Sequence, residues 1–217
     1  HRVRRNYPFD NLELNFVHHS CCGTIAGLCG GCRRYNVSMI AGLRYMRFNE
    51  DFAFDADDGD TTFDGGIEEV TYTIDVDNHL LGFQIGGRGD FAYSDCLAFH
   101  TECKVGLYGN AIDRPSFIGG ANGAATVGAG PNAGRAFNIV SDKTDFAMIS
   151  EIDLGASYRL SCRWRATAGY RVMALCGVAT PAGQIPTNFA DIDGVANIGS
   201  DNCLVLHGGY AGLEFNY

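Results

Sequence analysis

Residues 146–178 read FAMISEIDLGASYRLSCRWRATAGYRVMALCGV, and this stretch decides the fold. From Phe146 to Leu160 the even positions are Phe146, Met148, Ser150, Ile152, Leu154, Ala156, Tyr158 and Leu160, while Glu151, Asp153, Gly155, Ser157 and Arg159 stand between them. A period of two is the signature of a β-strand with one apolar and one polar face. Ser161-Cys162 makes a tight turn. Trp164, Ala166, Ala168, Tyr170, Val172, Ala174 and Cys176 then alternate with Arg163, Arg165, Thr167, Gly169 and Arg171. The two polar faces carry opposite charges, carboxylates on one strand and arginines on the next. A soluble sandwich spreads such charges over a wet surface, whereas a membrane barrel gathers them in its lumen and turns the apolar face to lipid.

The same alternation recurs on both sides of this hairpin. Leu12, Leu14 and Phe16 alternate with Glu13 and Asn15 in a first strand, and residues 19–34 read as a turn-rich connection. In the second strand Val37, Met39, Ala41, Leu43 and Tyr45 oppose Ser38, Gly42 and Arg44. After Tyr45 the apolar positions change parity to Met46, Phe48, Phe52 and Phe54, and near Asn78 the third strand does likewise, which predicts a β-bulge in each. A fourth strand sets Leu97, Phe99, Cys103, Val105 and Leu107 against His100, Glu102 and Lys104, and a last one runs from Cys203. The expected fold is all-β: an antiparallel up-and-down barrel of about eight strands in one domain over residues 1–217. Seven strands are clear, so an N-terminal arm (residues 1–10), another segment or another chain would complete it. The connections after the second, fourth and sixth strands are long, including residues 113–145 and 179–202, and those between are short. That puts long loops at one end and tight turns at the other, as in outer-membrane barrels.

Composition removes other classes. A net charge of −9 over 217 residues argues against nucleic acid as a partner. No apolar run is long enough for a transmembrane helix, but a transmembrane strand needs only about 9–11 residues. Beginning at His1, the sequence reads as a processed chain or a fragment. Nine cysteines point to an oxidising compartment, and the odd count leaves one thiol free or shared between chains.

Cys21, Cys22, Cys29 and Cys32 fall in one connection, where disulfides are favoured over a zinc site; Cys96 and Cys162 belong to the same end. Antiparallel pairing brings Cys176 to Cys203 and predicts a disulfide, leaving Cys103 as the buried free or intermolecular thiol. Asp55, Asp57, Asp58 and Asp60 form a weak calcium candidate with the wrong glycine spacing, better read as a solvated acidic tip. Arg44, His100, Glu102, Lys104, Glu151, Asp153, Arg163, Arg165 and Arg171 form the expected polar barrel face, an ion-pair network with no identifiable nucleophile, so no catalytic residue and no cofactor is assigned.

Ala41-Gly-Leu-Arg-Tyr-Met-Arg-Phe-Asn-Glu50, Asn78-His-Leu-Leu-Gly-Phe-Gln84, Lys104-Val-Gly-Leu-Tyr-Gly-Asn110, Ala168-Gly-Tyr-Arg171, Gly177-Val-Ala-Thr-Pro-Ala-Gly-Gln-Ile185 and His207-Gly-Gly-Tyr-Ala-Gly-Leu-Glu214 occur in this order. Together they resemble the β-barrel porin family found in planctomycete bacteria. The resemblance implies a non-enzymatic outer-membrane barrel, with outer-membrane lipid as a partner. The alternative is a disulfide-stabilised subunit of a fibre or layer, extracellular or on the cell surface, whose partners are copies of itself.

Overall fold

The computed structural model describes residues 1–26, 32–59, 63, 65–189 and 191–215, with the side chains of residues 20–26 and 32–34 left aside. Nine strands form one antiparallel sheet: β1 (Arg2–Asn6), β2 (Phe9–Ala26), β3 (Cys32–Asp57), β4 (Glu69–Ala92), β5 (Leu97–Gly120), β6 (Gly123–Ala124), β7 (Asn138–Arg159), β8 (Trp164–Val178) and β9 (Asn202–Phe215). Two short helices, α1 (Pro181–Gln184) and α2 (Ile192–Ala196), lie between β8 and β9. β1 and β2 lie end to end along β3, and the sheet then runs β3-β4-β5-β7-β8-β9 in up-and-down order. It curls so that inner faces meet, yet among the described residues β2 does not pair with β9, and the barrel is not closed.

The first ten residues, expected as an arm, are therefore mostly strand. Arg2↔Asp55 through Asn6↔Asp51 pair β1 to β3, and the break at Tyr7-Pro8 suits a residue with no backbone N–H. Residues 19–34, expected as a connection, extend the β2–β3 hairpin to the Ala26↔Cys32 pair. Residues 113–145 shrink to a connection of 121–137, because β5 runs on to Gly120 and β7 starts at Asn138. Gly123, at φ +99, turns the chain into the small β5–β6 hairpin.

The bulges expected after Tyr45 and near Asn78 are absent: β3 and β4 pair in unbroken register from Tyr35↔Phe91 to Asp57↔Glu69. The backbone does not slip; the apolar face changes side. Toward the turns Val37, Met39, Leu43, Leu81, Phe83 and Ile85 are exposed on the outer face. Toward the long connections Met46, Phe48, Ile74, Val76 and Leu80 are buried on the inner face. One strand thus turns its apolar side chains outward over half its length and inward over the other half.

The short turns are made by serines. Ser94 Oγ accepts from the Leu97 backbone N–H at 3.0 Å, and Ser161 Oγ accepts from that of Trp164 at 3.2 Å. The long segment 179–201 does not stand free. Ala179 and Ile198 pack on Ile74, Val76 and Ile112 of the inner face, and Ile192 and Val195 pack with Val127, Phe137 and Ile139.

Candidate functional site

Three layers fill the concave side of the sheet. Nearest the long connections is the apolar seat of segment 179–201. Asn78 binds it as a backbone strand would, accepting from Ala179 N and donating to Ala179 O, both at 2.9 Å. Asn110 donates to Gly177 O at 3.0 Å, and Lys143 donates to Ile198 O at 3.2 Å and Ser200 Oγ at 2.7 Å. Arg114, buried, donates to Val195 O and Ser141 Oγ; burial lowers its pKa because desolvation disfavours the cation. The second layer is a packed cluster of Met46, Leu80, Tyr108, Ala147, Ile149, Met173, Leu175 and Val178.

The third layer is the charge network. Arg44, only 1% exposed, donates to Glu151 Oε2 at 2.9 Å across the interior and to Asn11 Oδ1 at 2.8 Å, with Glu13 at 3.4 Å. Lys104 Nζ lies 2.9 Å from Glu13, 3.2 Å from Glu102 and 3.2 Å from Glu151. Arg171 Nε donates to Asp153 at 2.9 Å and lies 3.4 Å from Glu151. Tyr210 donates to Asp153 at 2.8 Å, and His100 Nε2 sits 2.9 Å from the Tyr210 hydroxyl and 3.2 Å from Asp153. Arg88 joins Asp90 at 3.0 Å and Glu102 at 3.5 Å. Buried charges persist only when paired and hydrogen-bonded, and these are.

Of the residues expected on the polar face, Arg44, His100, Glu102, Lys104, Glu151, Asp153 and Arg171 meet in this network. Arg165 also lies on the inner side but pairs with Glu214 at 3.5 Å nearer the turns. Arg163 does not belong: it is exposed in the β7–β8 turn, which takes up residues 160–163 before β8 begins at Trp164. Glu13, Gln84, Arg88, Asp90 and Tyr210 join the network although sequence reading had not singled them out. For Glu13 and Gln84 the strand phase was the available signal. Tyr210 gave none, because an aromatic ring reads as apolar.

Cys176 and Cys203 are joined by a disulfide, at the register pair that closes β8 on β9. Cys103 is free and exposed on the outer face, not buried, since odd positions of β5 point outward. Cys96 and Cys162 are free and exposed, each in its own short turn, and so are not the disulfide partners expected. Cys29 lies outside the described residues, as do the side chains of Cys21, Cys22 and Cys32. Asp55 is no calcium ligand at a loop tip: it sits inside β3, buried, with Arg2 at 2.9 Å and Arg4 at 3.2 Å. Burial pushes its carboxyl up, but hydrogen bonds from Arg2 and Thr71 and the charge of Arg4 outweigh this and hold it below the usual range. Asp57 and Asp58 lie with Glu68 within 4.8 Å of one another, and Asp60 is outside the described residues.

The outer face completes the site. Exposed Leu12, Phe16, Met39, Phe83, Leu107, Phe146, Leu154 and Leu213 ring the sheet, with Phe146 84% and Phe16 76% exposed. From Val37 to Tyr45 this band is about 27 Å long, measured along the strand. Tyr93, Phe99, Tyr158, Trp164 and Phe215, all exposed, gather at its turn end. An outward apolar band about 25 Å tall, with aromatic girdles and an inward polar face, is the profile of a transmembrane barrel.

No helix among the described residues is long and apolar enough to cross a membrane, which says nothing of a barrel. No curated protein and no solved structure matches the chain. The family model described as Putative beta barrel porin-7 (BBP7) matches residues 6–202, nearly the whole chain with its inward charges and outward band, and the protein belongs to that family.

Proposed function

We propose that this chain is a non-enzymatic outer-membrane β-barrel of porin-like architecture whose own interior is closed. The observation that carries the reading is the inverted amphipathy of the sheet: Arg44 and Glu151 are buried inside while Phe16 and Phe146 stand exposed outside. In water this arrangement is costly on both faces; in lipid it is the stable one. The packed second layer and the docked 179–201 segment fill the concave side at two successive levels. Solute passage through this chain alone would need both layers to move.

The test is partition and depth. The protein should extract from membranes only with detergent and show heat-modifiable migration. Trp164, the single tryptophan, sits in the girdle and should be quenched by lipids brominated near the headgroup. A protein soluble without detergent, with Trp164 unquenched, overturns the reading.

A second reading, a self-assembling extracellular or cell-surface subunit, has its own observation: two sheet edges unpaired among the described residues, with exposed Cys96, Cys103 and Cys162 available to lock neighbours. Detergent-free filaments or sheets that dissociate with reductant would establish it.

A further inference from the structure

Beyond the charge network, toward the short turns, the concave side is hollow. Register explains why. Ala92 pairs with Ala98, Ala98 with Ser157, Ser157 with Thr167 and Thr167 with Gly212, a row of small inward side chains across five strands. Two cavities of about 460 and 370 Å³ lie along that row and share Ala98, Ser157 and Arg165, so they form one cup. Its deep end is polar, made by His100, Tyr210 and the Arg88–Asp90 pair. At its rim Arg159 of β7 stands directly opposite Arg165 of β8. Residues in register share a face, and like charges so placed repel. The carboxylates of the cup leave this repulsion standing. Asp90 is held by Arg88 at 3.0 Å, and Glu214 lies 3.5 Å from Arg165 on the side away from Arg159. Asp95 lines the same cavity, but among the described residues it pairs with neither arginine, and Arg159 has no ion pair. The backbone under the two arginines is fixed. The Arg159 N–H donates to Cys96 O at 2.7 Å, tying the end of β7 to the neighbouring turn, and Ser161 Oγ holds the start of β8.

We infer that Arg159 and Arg165, with the Ser157 hydroxyl beside them, form an anion site, and that its ligand is a phosphate group whose polar remainder lies in the cup. One guanidinium fork satisfies the two oxygens of a carboxylate; two forks from adjacent strands suit the three free oxygens of a phosphate. The polar deep end offers hydrogen-bond partners to the hydroxyls of an ester. Such a phosphate has two sources, a soluble ester or a phospholipid head group. Exposed Tyr158, Trp164 and Phe215 hold the same end of the sheet at head-group depth on the outer face. The anion site stands without the membrane reading; only the lipid source rests on it.

The experiment uses the full chain refolded in phosphate-free non-ionic detergent, with its urea midpoint followed by Trp164 fluorescence. Inorganic phosphate, glycerol phosphate and dihexanoyl phosphatidylglycerol are added in turn, against chloride at equal ionic strength. The phosphate probes should raise the midpoint and chloride should not. Arg159→Gln or Arg165→Gln should weaken binding about tenfold or more, whereas Arg163→Gln, in the adjacent turn, should leave it unchanged. Without phosphate, Arg159→Gln should raise the midpoint, because the repulsion across β7 and β8 is gone. Ala98→Trp, which fills the cup behind the pair, should abolish the preference for glycerol phosphate over inorganic phosphate while heat-modifiable migration persists. Equal binding of glycerol phosphate and the short-chain lipid identifies a soluble ester, and binding of the lipid alone identifies a head group. No shift beyond that of chloride, an equal loss in Arg163→Gln, or tighter binding of inorganic phosphate than of either ester overturns the proposal. Failure of all three probes with a protein whose Trp164 is quenched by brominated lipid sinks the anion site and leaves the membrane reading standing. Phosphate binding by a protein whose Trp164 is unquenched keeps the site and removes the lipid source.

Discussion

Arg44 shows how much rests on single buried charges. Its guanidinium is the bridge from β3 to β7, and truncating it leaves Glu151 and Glu13 short of a cation in a packed interior. Removing one partner of a buried pair costs about 3–5 kcal/mol. Arg44→Ala should lower the urea midpoint of the detergent-folded protein accordingly, read by Trp164 fluorescence, while Arg44→Met with Glu151→Leu should recover much of the loss. Asp75 makes the opposite case, outside the band. Burial, then the charges of Asp51 and Asp77, push its carboxyl above the usual range. A folded-state pKa above the unfolded one means the folded protein holds the proton more tightly, so the favourable contribution exists at low pH and is lost as pH rises through the folded pKa. Asp75→Asn should therefore raise the melting temperature near about pH 7 and do nothing near about pH 3, a gain below about 1 kcal/mol once solvent screening is allowed for.

Among the elements, segment 179–201 is the one whose placement depends on its ends. The Cys176–Cys203 bond closes a loop with a sequence separation of 27 at the base of that segment. The double variant Cys176→Ser, Cys203→Ser should lose roughly 3–4 kcal/mol in the chain-entropy model, measured by denaturant unfolding against oxidised wild type, and should match the reduced wild type. Next to it Gly177, at φ +84, forms the irregularity between Cys176 and Val178, and a Cβ there would lie 2.3 Å from Phe146 O. Gly177→Val is strained both in its own backbone and against β7. It should release the segment, seen as faster hydrogen exchange or proteolysis at residues 181–198, while the charge network below stays protected.

For the whole molecule the two stacked closures make a joint prediction. The protein reconstituted in a planar bilayer should show no steady porin-sized conductance. Replacing residues 181–198 by a short linker should not open it, because the Met46–Leu80–Tyr108–Leu175 layer still fills the interior. Large steady steps from the intact chain would refute the closed interior.

Much of the fold follows from strand period alone. Alternation over Phe146–Val178 and its repeats dictates antiparallel strands, the side each charge takes, and the Cys176–Cys203 pairing, because side chains of a strand alternate whatever the neighbours are. Tertiary structure alone decided where the apolar face changes sides. A parity change reads identically for a backbone bulge and for a strand leaving the apolar band, and only the unbroken β3–β4 register separates them. It also decided that Arg163 falls in a turn, that Tyr210 joins Asp153, that segment 179–201 seats on Asn78, and that Asn110 holds Gly177 just before it. Those outcomes depend on partners more than twenty residues away in the chain or on the exact span of a turn, and neither leaves a local pattern in the sequence.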